Sequence, residues 1–213
     1  MNRTAPIGFD PSCVRCERLA AHLIEVRRSH PDYHAGPVPP FGDPDARLLI
    51  VGLAPGMHGA NATGRPFTGD YAGILLYQTL HRFGFADRPE STSRDDGLTL
   101  IDCRITNAVK CLPPQNKPTG GEVATCNAFL IAELQTLPAN AVVLALGGVA
   151  HRAVIRALGL RQSAHAFAHG AEHRLEHLTV LDCYHCSRYN TQTKRLTEPM
   201  FLAIFERVRA LLK

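Results

Sequence analysis

Tryptophan is absent from these 213 residues and methionine appears only three times, so any large aromatic contact falls to nine Phe and five Tyr. No apolar run is long enough to span a bilayer, which excludes a helical membrane anchor. The opening residues, "MNRTAPIGFDPSC", lack the apolar core of a secretory leader. No internal repeat and no low-complexity tail interrupts the chain. A net charge of +4 is too mild to mark a polyelectrolyte, although it suits a polyanionic partner. With 45% apolar and 20% charged residues the composition is that of a globular protein rather than a disordered one. The expectation is a soluble, cytoplasmic monomer with one domain over residues 1–213 and no membrane partner.

Cysteine is plentiful by contrast: seven thiols in a chain read as intracellular point to metal or reactive sulfur rather than to disulfides. Cys13 and Cys16 form a C-x2-C pair, and Cys111 and Cys126 form a second, wider pair. Four thiolates from two distant segments suit a structural zinc or an iron–sulfur cluster, and the wide second pair favours the cluster. Buried, inert thiols are the plainer alternative. Cys103 and Cys183 lie within apolar runs and read as core.

Four short apolar, β-rich runs, 47–53, 101–107, 141–147 and 178–184, have the character of strands buried on both faces of a parallel sheet. Helical patterns separate or flank them at 14–29, 71–83, 120–137, 148–158 and 198–212. Thr119-x-x-Glu122 announces the third of these as a capping box. The Pro/Gly-rich stretch 30–46 reads as an irregular linker. Such alternation predicts an α/β fold with helices on both faces of the sheet. In that class ligands bind beyond the carboxyl ends of the strands. The loops that leave three of these runs, "GLAPGMHGANATGRPFTGD", "NAVKC" and "HCSRYNTQT", should therefore converge on one edge.

The first of those loops, 52–70, holds five glycines and two prolines in nineteen positions. Connections of that length are usually functional, and glycine lets the backbone approach a ligand. Its only acid, Asp70, is a candidate for activating water, or a simple cap on the helix that follows. Phe67, between Pro66 and Thr68, is placed to stack on a flat ring. Asn107, with one donor and one acceptor, suits the edge of a nucleobase, or a turn. His185 directly follows a buried strand, and reads as a site residue or a satisfied core histidine. His58 and Asn61 add polar groups to the same edge. Arg188, Lys194 and Arg195, with Tyr189 among them, fit phosphate contact plus a wedge into stacked bases, or a solvated basic loop. His165, His169, His173 and His177 recur every four residues, but Gly170 and the local alternation suggest strands and a turn that would scatter the rings.

Three segments, "GLAPGMHGANATGRPFTGD", "ITNAVKCLPPQNKPT" and "HCSRYNTQTKRLTEP", stand in that order with the four-cysteine spacing. Together they resemble the family 5 (B-type) uracil-DNA glycosylases across almost the whole chain. The resemblance implies a three-layer α/β/α sandwich around a short, mostly parallel central sheet. It implies a structural [4Fe-4S] cluster on Cys13, Cys16, Cys111 and Cys126, with zinc as the alternative. The substrate would be uracil, and other deaminated bases such as hypoxanthine, in double-stranded or single-stranded DNA, rotated out of the stack before hydrolysis. Gly52, Leu53, Ala54, Pro55, Gly56, His58, Asn61 and Phe67 would form the base pocket. Asp70, Asn107 and His185 would be catalytic. Arg65, Ser187, Arg188, Tyr189, Asn190 and Thr191 would contact DNA. One residue departs from the pattern: Cys186 stands where the family usually has proline, which frees φ and implies a looser loop behind His185. A vicinal thiol also allows a nucleophilic-cysteine reading. A third class is a non-catalytic, metal-stapled nucleic-acid-binding protein, which leaves the glycine-rich loop unexplained.

Overall fold

A computed structural model describes residues 8–213. Six strands form one sheet in the order β1-β3-β2-β4-β6-β5. The four central strands, β2 (Leu48–Gly52), β3 (Cys103–Asn107), β4 (Ala141–Leu146) and β6 (Leu178–Cys183), are parallel. They match the four apolar runs. The edges are two short antiparallel strands, β1 (Phe41–Gly42) against β3 and β5 (Glu172–Arg174) against β6. The linker 30–46 is thus not wholly irregular: Phe41 and Gly42 pair with Ile105 and Arg104.

Alternate residues of each strand serve opposite faces. Leu48, Ile50 and Leu144 pack with Leu76 and Leu80 of α3 (Tyr71–Arg82) and Phe201 and Phe205 of α7 (Glu198–Leu211). Leu49, Val51 and Val143 pack with Leu130 and Leu134 of α4 (Gly120–Gln135) and Ala153 and Val154 of α5 (Gly148–Ala157). Three layers result. Helix α1 (Glu17–Ser29) lies outside α4, joined through Leu19, Cys126 and Phe129. The capping box at Thr119 forms, with Glu122 N–H donating to Thr119 Oγ1 at 3.2 Å and Thr119 N–H to Glu122 Oε2 at 2.7 Å. Glu122 also takes a forked contact from Arg18, at 2.7 Å to each oxygen, which ties α1 to the start of α4. No helix among the described residues is long and apolar enough to cross a membrane.

Two segments read as loops contain a turn of helix. Within 52–70 lies α2 (Ala60–Thr63), and within 185–197 lies α6 (Arg188–Gln192), whose N-cap Ser187 accepts from Asn190 N–H. Both helices are too short to show a hydrophobic period.

The neighbouring strands β2 and β4 send their chains to opposite faces, β2 towards α3 and β4 towards α5. The loops diverge and leave a crevice at the carboxyl end of the sheet, where a doubly wound fold binds its ligands.

Just past β3, Lys110 is buried and donates to Glu133 Oε1 at 2.7 Å and to Thr106 Oγ1 at 2.5 Å. Removing one partner strands the other charge in the core. Lys110→Met should lower stability by about 3–5 kcal/mol, read as an earlier urea midpoint. The double variant Lys110→Met/Glu133→Leu should recover most of that loss.

Candidate active site

A cavity of about 450 Å³ occupies the crevice. Its wall includes Leu53, Ala54, Gly56, Phe67 and Asp70 from the glycine-rich loop, Asn107 from the tip of β3, Gly147 to Val149 after β4, and His185, Ser187 and Asn190 after β6. The strand-end loops therefore do meet. That volume lies within the usual range for small-molecule sites.

Asp70 is both a cap and a cavity residue. Its Oδ1 accepts from Gly73 N–H at 2.8 Å at the start of α3. Its Oδ2 lies towards Gly56 and Gly59, where a Cβ added to Gly59 would fall 2.7 Å from that oxygen. Burial raises its pKa, while the backbone N–H groups of Gly73 and Ala72 act in the opposite direction. The carboxylate is thus desolvated yet held in place.

Gly52 pairs with Asn107 across β2 and β3. A Cβ at Gly52 would fall 2.4 Å from Asn107 Oδ1 and 2.7 Å from Phe67 Cζ. The missing side chain is the space those two groups occupy. Phe67 has φ of 54°, a left-handed conformation that is uncommon for a bulky residue and characteristic of strained functional loops. Its ring stacks near-parallel to His185, with centroids 5.8 Å apart.

His185 Nδ1 is sealed from solvent and has no hydrogen-bond partner among the described residues. Desolvation lowers the ring's pKa to about 4, so the imidazole is neutral near pH 7. The loop behind it is pinned rather than loose. Asn190 Nδ2 donates to His185 O at 2.8 Å, and the fully buried Cys186 donates its S–H to Ala72 O at 3.4 Å. Burial raises the Cys186 pKa, so the thiol is a core contact and not a nucleophile.

Five expected contacts lie elsewhere. Arg65 is buried, with Nη2 on Asp96 Oδ2 at 2.5 Å and Ser91 Oγ at 2.6 Å and Nε on Thr68 Oγ1 at 2.9 Å. Its donors are committed inside the fold and it offers no surface to DNA. His58 is exposed and bonds through Nδ1 to Tyr33 Oη at 2.8 Å, outside the cavity wall. Gly52, Pro55 and Asn61 are buried behind the wall rather than in it. Several wall residues were not expected from the sequence, among them Phe167, Tyr184 and Asn116. Phe167 and Tyr184 carry no chemical signature in an apolar context. Asn116 lies in a turn where it and Gln115 both have positive φ, within the segment "CLPPQNKPT", whose prolines mask any other local pattern.

At the rim, Tyr189 is 72% exposed and Arg188 lies over the Tyr71 ring, 5.9 Å from its centroid. Thr191 Oγ1 reaches Tyr71 Oη at 3.4 Å, and Arg195 lies over Tyr184 at 4.7 Å.

Cys13, Cys16, Cys111 and Cys126 are free thiols that border one small cavity with Leu19, Val109 and Phe129. Lys110 N–H donates to Cys126 Sγ at 3.3 Å. Four sulfur donors from separate segments around a shared apolar space fit a four-thiolate group. Ala54 packs against this cluster and also lines the larger cavity.

A doubly covered parallel sheet with a slot at its switch point, walled by aspartate, asparagine and histidine, defines an α/β/α ligand-binding domain of enzymatic type. The chain belongs to the uracil DNA glycosylase superfamily, whose family model matches residues 39–209. It is 47% identical to the Type-5 uracil-DNA glycosylase of Thermus thermophilus over 220 residues, covering 99% of each chain. Against the Type-5 uracil-DNA glycosylase of Pyrobaculum aerophilum the identity is 42%, over 93% of this chain and 88% of the relative. The Type-4 uracil-DNA glycosylase of Archaeoglobus fulgidus is 30% identical over 89% of each.

The neutral His185 has a thermodynamic signature. Between its native value near 4 and the unfolded value near 6.5 the unfolded chain takes up a proton that the native chain refuses. Stability should therefore be full above pH 6.5 and fall as pH drops towards 4, by up to about 3 kcal/mol from this group. Urea titrations of the wild type and His185→Phe across that window should show the difference in slope.

Proposed function

We propose that this chain is a monofunctional DNA-repair glycosylase. It hydrolyses the N-glycosidic bond of uracil, and of other deaminated bases such as hypoxanthine, in DNA and leaves an abasic site. The observation that carries this reading is the convergence of Asp70, Asn107 and His185 on one cavity with room for a base, beside an exposed tyrosine and arginines. The glycosidic carbon is out of reach inside the stack, so the nucleotide rotates into the slot. Tyr189 and the Ser187–Thr191 segment fill the space it leaves, and Arg188 and Arg195 meet phosphates.

In the slot, Asn107 hydrogen-bonds the edge of the base and Phe67 walls the pocket against a ring. The C1′–N bond breaks with its electron pair leaving on the base, and water adds to C1′. His185, neutral at working pH, donates an N–H to the base carbonyl as negative charge builds there. A donor aimed in this way contributes roughly 3–4 kcal/mol in the transition state. Asp70 uses one oxygen to cap α3. The other orients the water and faces the positive charge that develops on the sugar.

Cys13, Cys16, Cys111 and Cys126 would hold a [4Fe-4S] cluster, with zinc as the alternative. The group supplies a cross-link between α1 and the 111–126 region and takes no part in bond breaking. The protein works as a monomer in the cytoplasm on double-stranded DNA, with single-stranded DNA as a second substrate.

A duplex with a single uracil, incubated with the protein and then treated with alkali, should give a break only after the alkali step. Asp70→Asn should slow single-turnover excision by about 10²- to 10⁴-fold, and an undiminished variant refutes the role given to Asp70. Anaerobic purification should yield a brown protein containing iron, which Cys111→Ser loses. Stoichiometric zinc with no iron would select the alternative.

A further inference from the structure

Residues 161–171 form a strap between α5 and β5 that reaches the cavity wall and whose only regular structure is a short turn at Gln162–Ala164. Its Phe167 lines the cavity, and a Cβ on Gly148 would fall 3.8 Å from the Phe167 ring. An irregular strap places an aromatic wall reproducibly only if something fixes its backbone.

That fixture is a buried group of three residues that the proposed chemistry does not use. His151, in the first turn of α5, bonds through Nε2 to the carbonyl of His165 at 2.8 Å and through Nδ1 to Asp182 Oδ1 at 2.7 Å. A carbonyl can only accept, so Nε2 donates to His165 and Nδ1 is left to pair with the carboxyl group. His173 Nε2 donates to the other carboxylate oxygen at 3.1 Å. Asp182 is fully buried, and its salt-bridge partners among the described residues are these two imidazoles. Its backbone holds the far end of the strap, through Gly170 N–H to Asp182 O at 2.8 Å and Asp182 N–H to Ala171 O at 2.9 Å. The His151 ring also meets Phe167 edge-on, with centroids 5.6 Å apart.

Three such side chains, with ligand atoms within 4.8 Å of one another, also resemble a metal site. The geometry in this structure is that of hydrogen bonds. An ion bonded to nitrogen and oxygen at about 2.0–2.2 Å in tetrahedral geometry would hold those atoms about 3.4 Å apart. At 2.7 Å the Nδ1–Oδ1 contact is a hydrogen bond. The cluster is a clamp, and its directed bonds set the strap's position where apolar packing alone would let it slide.

We infer that His151 and Asp182 are positioning residues for the base pocket: through the His165 carbonyl they hold the strap so that Phe167 stands as an apolar wall against the extruded base. The inference rests on the pocket being the base slot. Two readouts separate the failure of either idea. Amide hydrogen exchange over residues 161–171 tests the clamp without any substrate. Single-turnover uracil excision by His151→Phe, Phe167→Ala and the double variant tests its consequence.

His151→Phe keeps the ring's bulk and removes both hydrogen bonds, so exchange in the strap should accelerate selectively. Excision should slow by about tenfold to a hundredfold. The double variant should be no slower than the slower single variant, because the two changes remove the same wall. Should His151→Phe fail to fold, Asp182→Asn, which keeps the side chain's shape and weakens the hold on His151 Nδ1, gives the exchange test. Unchanged strap exchange in a folded variant overturns the clamp. Losses that multiply in the double variant overturn the link to Phe167. A wild type that excises no uracil overturns the functional reading and leaves the exchange test standing.

Discussion

Burial of four parallel strands on both faces is the constraint from which the rest of the molecule follows. Each central strand presents alternate residues to two separate cores, so helices must cover both sides and the chain must cross the sheet repeatedly. Where adjacent β2 and β4 depart to opposite faces, no connection can fill the space between them. The cavity is the direct product of that divergence, and its chemical character is set by the residues at the strand ends: Asn107, Leu146 and, two residues past β6, His185.

Around that opening, the fold places groups in conditions they would not choose alone. Asp70 is desolvated, Phe67 is held at positive φ, and His185 gives up solvation without gaining a partner for Nδ1. Each lowers stability locally, and each is retained where a reacting base would sit, the usual distribution of strain in an enzyme. Behind the wall, the Arg65–Asp96 and Lys110–Glu133 pairs and the His151–Asp182–His173 group are largely buried and hydrogen-bonded, and they fix the geometry of the elements that carry the opening.

Much of this was legible in the chain. The four apolar runs identify the central strands, the Thr119–Glu122 pair marks a helix start, and the strand-end rule brings Asp70, Asn107 and His185 to one edge. What escaped did so for physical reasons. Strands β1 and β5, of two and three residues, are too short for alternation to register. Arg65 reads as a surface cation because its partner Asp96 lies 31 residues away in a segment without pattern. His151 and Asp182 sit inside apolar stretches, also 31 residues apart, and only the packing of α5 on the sheet joins them. The four-residue histidine spacing suggested scattered rings, yet His165 and His173 come within 5.5 Å because β5 folds back on β6.

Ala54 packs against the cluster that carries the four cysteines and also lines the larger cavity. The residue is therefore a point of contact between the two regions, and a bulkier side chain there would press on both at once.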